Sequence, residues 1–150
     1  MGPDNSSRAL QGPSNSGVAN KTGGPKFAVS TVGYTNIVVS FDLWTAARAS
    51  AYWRGQYTLN GTTWVDHLKI DKRTPYLTNG GSSFTSHSDD LSAVSGAGNN
   101  ANFAYRVVAE YQFTATGSGA NAYVPTDPND PNGYNNTGPF RIDVFTVTGR

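Results

Sequence analysis

Apolar and polar residues alternate with a period of two in each long apolar segment of this chain. In the segment 36–44 the apolar positions recur at every second residue: Ile37, Val39, Phe41 and Leu43. Successive side chains of a β-strand point to opposite faces of its sheet, so this pattern predicts a strand with one buried face. No long segment shows the 3.6-residue period of a helix. The chain is therefore predicted to be all-β.

The same alternation and the turn signals between apolar segments place the other strands. Strands are predicted over residues 26–30, 36–44, 51–59, 63–70, 103–113 and 140–148, with shorter ones at 8–11 and near Phe84. Asn60-Gly61 is a two-residue hairpin signal that joins two of them. Phe145 is out of phase with Ile142, which predicts a β-bulge near Asp143-Val144. Strands with one apolar face must stack in two layers, so we expect a two-sheet antiparallel β-sandwich.

Length and composition exclude several classes of protein. The 150 residues fit one domain, 1–150, in which residues 1–7 are expected to be flexible or a remnant of expression. The net charge of +1 and the low charged fraction of 14% indicate no nucleic-acid partner. There is no cysteine, so disulfides and thiolate metal sites are excluded. No apolar stretch is long enough to cross a membrane as a helix, so we expect no membrane insertion.

The segments 36–44 and 51–59 are predicted to pair as a hairpin across the loop 45–50. That register puts three pairs on one outward face: Trp44 with Tyr52, Asp42 with Arg54, and Ser40 with Gln56. Arg106 and Arg141 share the outward phase of their strands and extend this face if all four strands lie in one sheet. Sugars stack their C–H faces on aromatic rings and need fixed polar partners for their hydroxyls, so the strip is a candidate glycan site. The alternative is ordinary cross-strand pairing that stabilises the sheet. Trp53 and Trp64 are predicted to pack inward.

Candidate metal and catalytic groups are sparse. The turn from Asp127 to Gly133 offers oxygen ligands from Asp127 and Asp130, which suit calcium, although the same residues suit an ordinary turn. His67 and His87 are 20 residues apart with no cysteine to join them, so zinc is not expected. Glu110 is the single glutamate, whereas glycosidases use two carboxylates. The pattern does not indicate an enzyme.

Four segments resemble strands of secreted bacterial β-jelly-roll modules, which are similar to carbohydrate-binding modules. They are residues 35–42, 56–64, 103–108 and 140–149, in matching order and spacing. The resemblance implies a jelly roll, an extracellular location (secreted or cell-surface), and attachment to other domains in a longer protein. It also implies a structural calcium ion near the closing strand, where Asp143 matches the motif and Val144 replaces its second aspartate.

Three functions stay open on these grounds. The first is a non-catalytic module that binds polysaccharide. The second is a structural or adhesive surface domain that contacts protein, with the loop 112–138 or a long edge strand as its interface. The third is a small polysaccharide hydrolase or lyase that uses Glu110 or His67. The sequence does not identify the glycan, the neighbouring domains or the oligomeric state.

Overall fold

The computed structural model describes residues 10–12 and 19–150. The expectation for residues 1–7, and the Arg8–Ala9 part of the first predicted strand, lie outside the described residues. The strands are β1 (Leu10–Gln11), β2 (Lys26–Ala28), β3 (Val38–Thr45), β4 (Tyr52–Thr58), β5 (Val65–Asp71), β6 (Phe84–Asp90), β7 (Ala104–Ala109) and β8 (Pro139–Thr148). The helices are α1 (Arg73–Asn79) and α2 (Gln112–Thr116).

The strands form two antiparallel four-stranded sheets. The first sheet has the order β1-β8-β3-β6, and the second has the order β2-β7-β4-β5. This arrangement confirms the predicted all-β sandwich. β4 and β5 pair across the Asn60-Gly61 turn, where Gly61 has φ +82°, as the hairpin signal predicted.

The hydrophobic core lies between the two sheets and follows the predicted alternation. Phe41 from the first sheet is 1% exposed, while Trp53 and Tyr105 from the second sheet are fully buried. The rings of Phe41 and Tyr105 lie 6.3 Å apart, and Trp53 packs against Phe140 at 4.5 Å. Each such side chain contributes roughly 1.5–3 kcal/mol of burial free energy. Stacking the sheets is therefore the main stabilising step of the fold.

The predicted bulge in the closing strand is confirmed. Ser40 pairs with Thr146 but Asp42 pairs with Asp143, so two residues of β8 face Phe41 alone. The extra residue is Val144, whose φ of +45° is a left-handed conformation that costs a β-branched residue about 1–2 kcal/mol. The extra residue shifts the alternation of side chains in β8 by one position, so that Phe145 points inward. Its ring stacks on Phe27 with the ring centres 3.7 Å apart.

The predicted hairpin between residues 36–44 and 51–59 is wrong, because β3 and β4 belong to different sheets. β3 lies between β6 and β8, and β4 lies between β5 and β7. Each of these strands has one strongly apolar face. Placing the strands across the core buries both faces, and the segment between them crosses from one sheet to the other.

The long segment after β7 is fixed to that crossover. Thr126 is fully buried, and its amide donates a hydrogen bond to the carbonyl of Ala49 at 2.8 Å. Ser50 and Pro125 form an isolated bridge. The segment begins with α2, so the strand predicted over 103–113 ends at Ala109. Among the residues that the structure describes, no helix is long and apolar enough to cross a membrane.

Candidate functional site

The outer face of the first sheet carries an ordered set of polar and aromatic side chains. Cross-strand partners share a face and stand about 5 Å apart at Cβ. The register therefore places the outward side chains of β6, β3 and β8 in rows across the sheet. We call the first two rows the platform. The first row contains Phe84, Trp44 and Arg141, and the second contains Ser86, Asp42 and Asp143.

The first row of the platform combines two aromatic rings with a cation. Trp44 is half-buried and Phe84 is 38% exposed. The guanidinium carbon of Arg141 lies 5.2 Å from the centre of the Trp44 ring, a cation–π contact. Within the described residues, Nε of Arg141 is buried without a hydrogen-bond partner. This row thus places an aromatic surface beside a cation.

The second row places two carboxylates side by side. Asp42 lies directly opposite Asp143 on the neighbouring strand. One oxygen of Asp143 accepts a 2.8 Å hydrogen bond from the Val144 amide, and neither aspartate forms an ion pair with any residue that the structure describes. Like charges in this position destabilise a sheet by up to about 1 kcal/mol. The row therefore provides hydrogen-bond acceptors at a cost in stability.

A polar cleft lies at the opposite end of the same face. Asp90, Val38 and Thr148 form the last row in register, and they line a cleft of about 470 Å³ together with Asn36, Ser92, Gly149 and Arg150. Val38 and Trp44 are six residues apart in β3, which corresponds to about 20 Å at roughly 3.4 Å per residue. The face therefore runs from an aromatic row at one end to a polar cleft at the other.

The outer side of the second sheet is different, because several of its charged groups form ion pairs with one another. Arg54 donates two hydrogen bonds to Glu110, from Nε at 2.9 Å and from Nη2 at 2.7 Å. Both side chains are buried, at 7% and 1% exposure. This is the bidentate geometry that suits a desolvated ion pair. Both carboxylate oxygens of Glu110 are thus engaged in the ion pair with Arg54.

The neighbouring groups of the second sheet form a connected network. Arg106 donates to Gln56 at 2.7 Å, and Gln56 donates to Asp66 at 2.6 Å. Lys21 also pairs with Asp66. Burial alone would raise the pKa of Asp66, but hydrogen bonds from Gln56 and Lys21 outweigh it and lower that pKa. The polar groups of this face mainly hold strands and the segment before β2 together.

The single polar strip predicted from the sequence is consequently divided between two surfaces. Trp44, Asp42 and Arg141 come together on the first sheet. Arg54, Gln56 and Arg106 come together on the second sheet, inside the paired network. The expected pairing of Trp44 with Tyr52 is wrong; Tyr52 is 9% exposed, and Arg73 lies 5.6 Å from the centre of its ring. The physical reason is the separation of β3 and β4 described above.

No family model, curated protein or solved structure matches this chain. Phe84 is a site residue that the sequence pattern did not indicate. Its strand signal is short, and its place beside Trp44 depends on the pairing of β6 with β3, which connects segments about 40 residues apart. Trp64, predicted to pack inward, instead lies half-buried beneath Arg106 at 4.2 Å.

A buried network also joins the two sheets between β5 and β6. The carboxylate of Asp89 accepts a 2.6 Å hydrogen bond from the hydroxyl of Tyr105 and lies 2.5 Å from Nδ1 of His67. Burial and the charge of Asp89 raise the pKa of Tyr105 far above its usual range. A Cβ on Gly55 would lie 2.0 Å from that hydroxyl, so the glycine leaves the space that it occupies. Asp89 is 3% exposed, which indicates a structural role.

Lys72 is the centre of a second buried set of polar contacts. Its ammonium donates to the carbonyls of Leu43 and Ser83 and to Oγ1 of Thr85, which in turn lies 2.7 Å from Nε2 of His87. Burial lowers the pKa of Lys72 to about 8. Burial and the neighbouring Lys72 lower the pKa of His87 to about 4, so this imidazole is neutral at pH 7. The side chain of Lys72 is closed to ligands at 2% exposure.

The carboxylates predicted to bind calcium belong to two elements: Asp127 and Asp130 share one turn, and Asp143 lies in β8. Asp127 and Asp130 each accept a 2.9 Å hydrogen bond from the amide two residues ahead, as turn residues do. Asp143 faces Asp42. Over residues 10–12 and 19–150, no group of three or more histidine, cysteine or acidic side chains is placed to hold a metal. Calcium takes about six to eight oxygens, which backbone carbonyls and asparagine side chains also supply. The calcium site stays a prediction.

Proposed function

We propose that this chain is a non-catalytic polysaccharide-binding module of a secreted or cell-surface bacterial protein, attached to other domains. The observation that carries the proposal is the platform. It sets the Trp44 and Phe84 rings beside Arg141 and the unpaired carboxylates of Asp42 and Asp143. Aromatic rings take the C–H face of a sugar, while carboxylates and a guanidinium take its hydroxyls.

The strand order supports a jelly roll as the fold of this module. β1 pairs with β8, β2 with β7, β3 with β6 and β4 with β5. These nested pairs describe one long antiparallel ribbon that is folded over into two sheets. Eight strands in two sheets are the pattern of a jelly roll.

The geometry gives less support to a hydrolase or lyase. Glu110 is 1% exposed and bound at both oxygens by Arg54, so a substrate cannot reach its carboxylate. His67 is held by Asp89, which is itself buried. A general acid or base must reach the proton that it transfers. Neither group lies on the platform.

The proposal is tested by affinity electrophoresis and calorimetry against xylan, laminarin, cellulose, alginate and chitosan. We expect binding to at least one of them, with a dissociation constant between micromolar and millimolar, or roughly −4 to −8 kcal/mol. Trp44→Ala should weaken binding at least tenfold, which is about 1.4 kcal/mol. Phe113→Ala is the matched control, because Phe113 is a 51% exposed ring on α2, outside the platform.

Two results would contradict the proposal. The first is that the wild-type protein binds none of these polymers. The second is that Trp44→Ala binds as the wild type does while the Phe113→Ala control loses affinity, since the binding surface would then lie elsewhere.

A further inference from the structure

Val144 combines two unfavourable features at one position of the first sheet. It adopts a left-handed backbone conformation, φ +45°, which in this type of bulge is usually taken by glycine. It also exposes 62% of an apolar side chain. A glycine would relieve the strain and remove the exposed methyl groups, and Phe145 already fills the core. The fold itself therefore does not require valine here.

The position of Val144 connects it with the platform. It follows Asp143 directly and precedes Phe145 and Thr146 in the bulge, so it lies between the acidic row and the next row of the outer face. Its backbone is held on both sides, since its amide donates to Asp143 and its carbonyl accepts from Thr146. Strained residues that the surrounding structure holds in place occur preferentially at functional sites.

We infer that the outer face of the first sheet is an extended binding track for an oligosaccharide, with Val144 as a contact residue at its middle. The track begins at the Trp44 row, passes Val144, and ends at the polar cleft lined by Asp90 and Ser92. Its length of about 20 Å, six residues of β3 at roughly 3.4 Å each, exceeds a single pyranose ring. The ligand is thus a stretch of several sugar units of a polysaccharide, not a single sugar. This inference rests on the proposed function.

The test is calorimetry with oligosaccharides of one, two, four and six units from each of the five polymers named above. Wild-type affinity should rise at least tenfold from the disaccharide to the hexasaccharide of the series that binds. Val144→Gly should bind the hexasaccharide about fivefold more weakly and the disaccharide unchanged, with a thermal midpoint equal to or above that of the wild type. Val32→Gly is the matched control, because Val32 is a 53% exposed valine outside the track.

The possible results distinguish failure of the extended track from failure of the proposed polysaccharide-binding function. Failure of the wild-type protein to bind any oligosaccharide or polymer contradicts the proposed function, and the inference with it. Wild-type binding that is as tight for a disaccharide as for a hexasaccharide overturns the extended track alone. Equal hexasaccharide affinity of Val144→Gly and wild type overturns the role of Val144. Glycine accommodates φ +45°, so the variant is expected to fold.

Discussion

Asp42 and Asp143 lie directly opposite each other on neighbouring strands, and neither forms an ion pair with a described residue. Facing like charges repel, so the wild-type sheet is less stable than it could be. A polar ligand that donates hydrogen bonds to both carboxylates would offset this repulsion. The two facing carboxylates therefore lower the stability of the folded protein and at the same time favour binding of a polar ligand.

We expect Asp42→Asn to stabilise the protein and weaken its binding. Removing one of the two facing charges should raise the free energy of unfolding by a few tenths to about 1 kcal/mol. The same change removes a charged acceptor from the platform and should reduce polysaccharide affinity several-fold. Urea unfolding and calorimetry measure the two effects. Ser118→Ala, at an exposed serine outside the first sheet, is the control. A destabilised Asp42→Asn would show that the repulsion is absent.

Glu110→Ala should destabilise the fold strongly, because it leaves Arg54 buried and unpaired. Loss of one member of a buried ion pair costs about 3–5 kcal/mol. The double variant Arg54→Met/Glu110→Leu should recover most of this loss, since both desolvated charges are gone. Chemical denaturation measures all three proteins. If the single and double variants are equally unstable, the pair is not what stabilises this face.

Gly55 and Tyr105 should prove coupled. A Cβ at residue 55 collides with the Tyr105 hydroxyl, so Gly55→Ala is expected to cost about 3 kcal/mol by overpacking. Tyr105→Phe removes that hydroxyl but leaves Asp89 short of a donor, at a cost of about 1–3 kcal/mol. In the double variant the collision is smaller. A double-mutant cycle should therefore give a coupling energy above about 1 kcal/mol, and strictly additive costs would contradict the contact.

Stability should fall as pH decreases from about 6.5 to 4 because of His87. Its pKa is lowered to about 4 in the folded protein, whereas the unfolded chain titrates near 6.5. Between these values the unfolded state binds more protons, so acid favours unfolding. Since water reaches part of the ring, we expect a loss of about 1–2 kcal/mol. Urea unfolding at pH 7 and pH 4.5 measures it, and His87→Gln should reduce the difference; an unchanged difference would exclude His87 as its source.

The local sequence pattern was sufficient to predict most of the strands. The alternation in 36–44 correctly predicted the buried face of β3, because side-chain direction in a strand depends only on the period of two. Asn60-Gly61 and the phase change before Phe145 predicted the hairpin and the bulge for the same reason, since backbone conformation at a turn or bulge is a property of a few consecutive residues.

The local patterns therefore identify which segments are strands and which of their faces are apolar. The pairing of β3 with β6 and β8, and not with β4, depends on the folded chain as a whole. Strand partners are chosen by burial and hydrogen bonding summed over the whole chain, and this sum is not encoded in any one segment. The same choice separated Trp44 from Tyr52, brought Phe84 beside Trp44, and left Arg54 to pair with Glu110 in the opposite sheet.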